Sequence, residues 1–183
     1  MSLPFPLDGS TLVVGPSNAG KTRHTADALE RWVADHGPEG CVVLDFAPTV
    51  ERDGTVLGGH LTRFTTIPDG SYHGVFDAHA PRAEAGSDTE ALELAADNAA
   101  TAAERLEAAP ADPTAVFVND ATIALQADSP PASVLTDYCD RAEVAVLNAF
   151  ESDELGVDNP VWENEQAALG TLRAWADRVV ELA

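Results

Sequence analysis

Gly15-Pro16-Ser17-Asn18-Ala19-Gly20-Lys21-Thr22 is the stretch on which the reading of this chain turns. It fits the phosphate-binding pattern G-x-x-x-x-G-K-[ST] with no mismatch. Glycines at its ends allow the backbone to curl, so that successive N–H groups point inward at phosphate oxygens. In such a loop Lys21 reaches the β- and γ-phosphates, and the Thr22 hydroxyl ligates Mg2+. Lys21 is also the only lysine in the chain. A protein that has dispensed with every other ammonium group has kept the one that would face a triphosphate.

The flanking residues supply the context that this chemistry requires. Ser10-Thr11-Leu12-Val13-Val14 is a compact apolar, β-branched run that reads as a buried strand leading into Gly15. After Thr22, Ala26, Leu29, Trp32 and Val33 recur at helical spacing, and Gly37-Pro38 stops the helix. The positive end of that helix dipole adds to the attraction for phosphate. An ordinary glycine-rich turn between strand and helix is the alternative reading.

Further along, strands and helices alternate, which predicts an α/β fold with a mainly parallel sheet. Cys41 to Phe46, Ala115 to Asp120, Glu143 to Leu147 and Arg178 to Leu182 read as strands. Asp53 to His60 reads as a loop or short hairpin, Arg63 to Ile67 as an edge strand, and Gly74 to Asp77 as another short strand. Helices are expected over Asp88 to Ala108, over Leu135 to Arg141 and from Pro160 onward. At 183 residues the simplest organisation is a single domain, 1–183. Ligands of such sheets bind at the carboxyl ends of the strands, which gathers Asp45, Asp77, Asp120 and Asn148 on the edge that carries the glycine loop.

Charge limits the partners. Thirty-one Asp and Glu stand against ten Lys and Arg, for a formal net charge of −21. That charge repels nucleic-acid phosphates and anionic membranes, so neither is expected as a partner. The carboxylates are spread along the chain and not gathered into a tail. This favours a solvating coat suited to a salt-rich, halophilic cytoplasm over a dedicated acidic interaction surface. Cys41 and Cys139 share no metal-like spacing and read as reduced core thiols. Met1 to Leu7 has neither a basic start nor a long apolar stretch, and no apolar run approaches membrane-spanning length, so a cytoplasmic location is expected.

The loop residues Gly15, Pro16, Ser17, Asn18, Ala19, Gly20, Lys21 and Thr22, with Arg23 behind them, are the candidate nucleotide contacts. Asp120 ends an apolar strand and is the candidate for the second Mg2+-organising group beside Thr22, with a helix cap or turn residue as the bland alternative. Asp45 is its rival, able to hold metal or to take the proton from an acceptor hydroxyl. The catalytic set read from the sequence is therefore Lys21, Asp120 and Asp45. Asn148, Glu151, Asp153 and Glu154 follow a late strand and either orient water, metal or acceptor or form an acidic loop. His60, His73 and His79 lack any recognised zinc spacing.

Gly20-Lys21-Thr22-Arg23-His24-Thr25-Ala26-Asp27-Ala28-Leu29 resembles the segment after the phosphate loop in the adenosylcobinamide kinase / adenosylcobinamide-phosphate guanylyltransferase family, where the run reads much like G-K-S-R-H-A-E-x-L. More thinly, Asp120-Ala121-Thr122, Asn148, Glu154 to Pro160, Asn164 to Leu169 and Ala176 to Val179 are similar to later parts of that family in the same order. Pro16-Ser17-Asn18-Ala19 departs from the family's Arg-Ser before Gly-Lys. The resemblance implies a P-loop NTPase fold of the RecA-like kind, a three-layer α/β/α sandwich. It implies phosphorylation of the aminopropanol hydroxyl of adenosylcobinamide by ATP or GTP with Mg2+. Lys21 and Thr22 would then carry the phosphates and metal, and Asp120 would be the metal-side carboxylate. The family's second activity needs a histidine that accepts a guanylyl group, and His60 lies in about that region.

Kinase chemistry on a small-molecule hydroxyl is the leading expectation. An NTP-dependent switch or regulatory ATPase acting through a protein partner is the second, and a degenerate nucleotide-binding protein the third. The sequence leaves acceptor, base preference and any homo-oligomeric assembly open. The carboxylate coat makes its own prediction: the melting temperature should rise as KCl is raised to molar concentration, because screening relieves self-repulsion. A flat or inverse salt response in a thermal melt would remove the salt-adaptation reading.

Overall fold

The computed structural model describes residues 2–154 and 156–183. Its centre is a six-stranded parallel sheet built from β1 (Gly9–Gly15), β2 (Cys41–Asp45), β5 (Tyr72–Val75), β6 (Ala115–Asn119), β7 (Val144–Phe150) and β8 (Arg178–Glu181), in the order β5-β2-β6-β7-β1-β8. A separate antiparallel hairpin, β3 (Thr49–Arg52) and β4 (Thr55–Gly58), turns at Asp53-Gly54 and follows β2. Five α-helices, α1 (Lys21–His36), α2 (Pro81–Glu84), α3 (Asp88–Glu107), α4 (Ala132–Cys139) and α5 (Pro160–Trp175), and two 3-10 segments, Leu61–Arg63 and Ala121–Leu125, complete the described elements. Among the described residues no helix is long and apolar enough to cross a membrane.

Alternation of side chains along each strand divides the interior into two layers. Val13, Val43, Phe117 and Val146 point to one face, where Ala26, Leu29 and Trp32 of α1 cover them. Leu12, Val42, Leu44, Val116, Val118 and Leu147 point to the other, against Ala102 of α3, Leu135 of α4, and Leu169 and Leu172 of α5. Strands buried on both faces must be apolar at nearly every position, which is why they read as continuous runs and not as alternating ones. The observed architecture is thus α/β, with helices on both faces of a parallel sheet.

Local chemistry sets the helix ends. Gly37 closes α1, donating its N–H to Val33 O at 2.8 Å. The Ser87 hydroxyl caps α3 by accepting from Glu90 N, and the Asn159 side chain caps α5 by accepting from Trp162 N, with Pro160 at the first helical position.

Three segments differ from expectation. Arg63 to Ile67 is not an edge strand: Leu61–Arg63 forms a single 3-10 turn and Thr65 to Ile67 runs on without strand pairing. Phe64 and Ile67 pack with buried Leu61 into the layer under α1, so this β-branched run serves packing and not pairing. The edge strand is instead β5, two residues earlier than the expected Gly74 to Asp77. Its pairing to β2 places Gly74 beside Leu44. The short helix α2, at the start of the connection to α3, was not expected from periodicity, being only four residues long.

Gly15 sits where the sheet is tightest. Its carbonyl accepts from Glu151 N beyond β7, while neighbouring Val14 O accepts from Leu182 N beyond β8. A Cβ at Gly15 would lie 2.7 Å from the Leu182 carbonyl oxygen. Backbone cannot yield as a flexible side chain does, so Gly15→Ala should destabilise the protein by about 1–3 kcal/mol. The expected signature is a lower urea midpoint with an unchanged slope; a wild-type midpoint would show that β8 shifts freely.

Candidate functional site

Parallel strands bring their carboxyl ends to one edge, and a polar row lies along it. Asp45 and Asn119 end β2 and β6, Asn148 lies two residues before the end of β7, and all three point toward the α1 side, by the same alternation that sorts the core. Register places Asp45 beside Asn119. Asn119 Nδ2 donates to Asp45 Oδ1 at 2.8 Å and to Gly59 O at 3.0 Å. Asn148 Nδ2 donates to Asn119 Oδ1 at 2.9 Å and to the Thr25 hydroxyl of α1 at 2.8 Å. Asp45 Oδ2 accepts from Leu61 N at 2.7 Å. All three side chains are buried. One hydrogen-bonded chain therefore ties α1, three strands and the segment after the hairpin together.

Above this row lies a cleft of roughly 250 Å³, lined by Ser17, Asn18, Gly20, Lys21, Thr22 and Arg23 on one side. Ala47, Gly58, Arg63 and Phe64 form the opposite wall, and Asn119, Asp120, Asn148 and Phe150 its base. The glycine loop curls tightly. Asn18 and Gly20 both have left-handed backbone, with φ of 60° and 97°, and Gly20 is the residue at which α1 begins. A left-handed residue at that junction is nearly free of strain only when it is glycine. Lys21 folds back, its Nζ donating to Pro16 O at 2.5 Å, and lies 5.8 Å from the Phe150 ring centroid. Burial holds the Lys21 pKa below its usual value, opposed by the charges of Asp120 and Glu154.

Asp120 follows β6 in the left-handed region, φ 57°, with its N–H donating to Asn148 Oδ1 at 2.9 Å. The polar row thus orients the peptide that aims Asp120. Its Oδ1 is shielded from water and has no hydrogen-bond partner within the protein. Burial first, and then repulsion from Glu165, push its pKa up to about 7, against the opposing pull of Lys21 and Arg82. Glu165 is itself buried and grips Arg82 Nη2 through both oxygens, at 3.1 and 3.3 Å, while accepting from Gln126 Nε2. Arg82 is 5.5 Å from the Phe150 centroid, on which Lys21 also packs.

The sequence candidates divide accordingly. Ser17, Asn18, Gly20, Lys21, Thr22, Arg23 and Asp120 meet in one cleft, while Gly15, Pro16 and Ala19 form the loop behind them. Asp45 is fully buried beneath the cleft, with both oxygens engaged by Asn119 and Leu61. In that position it braces the site. Asp77 is exposed beyond the edge strand β5 and does not line the cleft. His60 Nδ1 lies 3.2 Å from Asp45 Oδ1 without hydrogen-bond alignment. Glu151 pairs with Arg173, whereas Glu154 enters the loop itself and accepts from Ser17 N at 2.8 Å. Leu155, within the Glu154 to Pro160 run, lies outside the described residues.

Arg63, Phe64, Phe150, Arg82 and Glu165 were not singled out from sequence. The polar residue after an apolar run at Asp45, Asn119 and Asn148 is legible in the sequence. No periodicity announces a residue that reaches the cleft from a 3-10 turn, or one that packs behind it from a four-residue helix.

For a metal, the residues present suit Mg2+ held jointly with phosphate. That ion keeps several waters and takes only one or two protein oxygens alongside a bound phosphate. Thr22 and Asp120 line the same cleft, and Asp120 Oδ1 has no hydrogen-bond partner within the protein. Among the described residues no group of three or more His, Cys, Asp or Glu is arranged to hold an ion alone.

An unpaired carboxyl held near pH 7 is a stability liability. Its folded pKa lies above the unfolded value, so it binds a proton more tightly when folded. Stability from this group therefore increases as pH falls through about 7 toward 4, and is lost above about 7. Asp120→Asn, which tolerates the same left-handed backbone, should raise stability at pH 8 by at most roughly 4 kcal/mol, and the advantage should shrink toward pH 5. Thermal melts of both proteins across that range test it; a variant less stable than wild type at pH 8 would overturn the assignment of strain to this carboxyl. Comparison with protein-family models and with curated proteins finds no match, so the cleft is interpreted from its own chemistry.

Proposed function

We propose that this chain is a nucleotide-binding phosphotransferase, a kinase that moves the γ-phosphoryl group of ATP or GTP to a hydroxyl of a small molecule. The observation that carries the reading is the curled Gly15–Thr22 loop with Lys21 at its mouth, sharing a cleft with Asp120. The parallel sheet with helices on both faces supports a P-loop scaffold of the RecA-like kind.

Phosphoryl transfer asks a protein mainly for positioning and charge neutralisation. The loop N–H groups and the start of α1 offer donors and a positive dipole end to a polyphosphate. Lys21 must exchange the Pro16 carbonyl for phosphate oxygens, a short swing of a side chain already in the cleft. Thr22 and Asp120 would hold Mg2+, whose charge, when bound, offsets that of the β- and γ-phosphate oxygens. Asp120 would be held ionised in that state, since a nearby cation favours the carboxylate. The resemblance in the Gly20 to Leu29 segment makes an adenosylcobinamide-like alcohol the first acceptor to try.

One contact favours the switch reading as a second. The Glu154 carboxylate accepts from the N–H of Ser17, inside the loop that would receive phosphate. An incoming triphosphate must displace it by like-charge repulsion, and with it the segment between β7 and α5. A protein partner could read that displacement.

Binding of a fluorescent ATP or GTP analogue with Mg2+, in high-salt buffer, tests the common core. Lys21→Ala should weaken it at least tenfold, the equivalent of about 1.4 kcal/mol, while retaining the wild-type melting profile. Undiminished binding by the variant would defeat both readings. Labelled γ-phosphate transfer that depends on an added alcohol selects the kinase; hydrolysis without acceptor selects the switch.

A further inference from the structure

Where Arg23 reaches across the cleft to the wall that carries Arg63 and Phe64, positive charge concentrates in a chain that otherwise has little of it. Arg23, from the first turn of α1, places its guanidinium 4.8 Å from the Phe64 ring centroid, and Arg63 places its own 5.6 Å from the same centroid. Both arginines and Phe64 line the cleft with Lys21. The chain has ten cationic side chains against thirty-one acidic ones, yet three of the ten converge here. Among the described residues neither Arg23 nor Arg63 has an acidic side chain within ion-pair distance, although Arg31, Arg82, Arg173 and Arg178 all do.

Arg63 is also held in place. Its Nη1 donates to Gly58 O, and its stem passes so near Gly59 that a Cβ there would lie 2.8 Å from Arg63 Cδ. Gly59 O is in turn fixed by Asn119 of the polar row. Two like charges directed at one ring, one of them anchored by backbone, repel one another unless an anion lies between them. Cation–π contact with Phe64 offsets only part of that repulsion at an exposed site.

Order along the sheet assigns the ends of the cleft. The loop follows β1, Asp120 follows β6, and the segment carrying Gly58, Arg63 and Phe64 follows β2, which lies beyond β6. Strand spacing is about 4.8 Å, so three strand steps separate β1 from β2 by roughly 14 Å. A phosphoryl group leaving the loop past Asp120 would travel toward the arginine wall.

Resting on the kinase reading above, we infer that the arginine wall is the acceptor subsite and that the acceptor carries an anionic group, a phosphate or a carboxylate, bound by Arg63 and Arg23 beside the Phe64 ring. Such a wall favours an anionic alcohol over a neutral, amide-rich one.

The test uses the whole chain, loaded with a non-hydrolysable Mg·ATP analogue and followed by NMR of the arginine Nε–H and Phe64 ring signals. Phenyl phosphate, benzoate and benzyl alcohol serve as probes of one size and different charge. Phenyl phosphate or benzoate should shift the Arg63 and Phe64 signals saturably, with benzyl alcohol at least tenfold weaker. Preference between the two anions identifies the group recognised. Arg63→Gln should reduce anion affinity at least tenfold, with nucleotide affinity unchanged; Phe64→Leu, which keeps both arginines, should reduce it less. Equal response to charged and neutral probes, or an Arg63→Gln protein that binds the anions normally, would overturn the inference. So would a nucleotide analogue that itself saturates Arg63 and blocks the probes, because the wall would then belong to the donor; in that case the nucleotide reading stands. Anion binding without any nucleotide binding leaves the anion site in place and removes the kinase reading instead.

Discussion

The hydrogen-bonded row of Asp45, Asn119 and Asn148 is the constraint on which the site depends. Strands buried on both faces cannot carry polar side chains along their length without satisfying them. These three do so at one level, each supplying what its neighbour lacks. Asn148 reaches Thr25 on the helix that follows the glycine loop, and its carbonyl oxygen holds the Asp120 peptide. Asp45 and Asn119 hold Leu61 N and Gly59 O on the opposite wall. Both walls of the cleft and its central carboxylate are thereby referenced to the same rigid sheet edge. A member lost from this row leaves a buried partner unsatisfied, at a cost of about 1–3 kcal/mol.

Electrostatics in the cleft run against stability and in favour of ligand. Burial depresses Lys21 and elevates Asp120, so each would ionise more readily with more charge of opposite sign nearby. Asp120 is backed by Glu165, whose like charge raises it further, and Glu165 is held by Arg82 and Gln126. A divalent cation and a polyphosphate together would supply what both groups lack. The arginine wall shows the same imbalance in the other direction. In a chain of net charge −21, Arg23 and Arg63 meet at Phe64 with no acidic side chain within ion-pair distance among the described residues, and clustered cations in a cleft attract anionic ligands.

On the proposed nucleotide-binding reading, Glu154 marks the point where a ligated arrangement would differ from this one. Its carboxylate on the Ser17 N–H occupies a donor that a phosphate oxygen would claim. The contact joins the loop to the segment after β7, the strand that lies between β1 and β6 in the sheet.

Much of this was legible before the structure. Apolar runs with β-branched residues located β1, β2, β6 and β7, because doubly covered strands must be apolar throughout. The helical periods, with Gly37-Pro38 ending α1 and Pro160 opening α5, located the long helices, whereas the Ser87 and Asn159 caps appeared only in the structure. Lys21, Thr22 and Asp120 were named from motif and strand position, and they do share a cleft. Arg63 to Ile67 was misread because its composition suits a strand, while its neighbours use Phe64 and Ile67 to close the layer beneath α1. Asp45 looked like a rival to Asp120, since both end apolar strands. Only the fold showed that one is sealed beneath the floor and the other opens onto it. Sequence by itself determined the alternation of strands and helices, the glycine loop and the sparing use of lysine, because these are local properties of backbone and composition. Tertiary structure alone decided which carboxylate faces the cleft and which arginines meet across it, because those depend on strand order and on contacts between residues far apart in the chain.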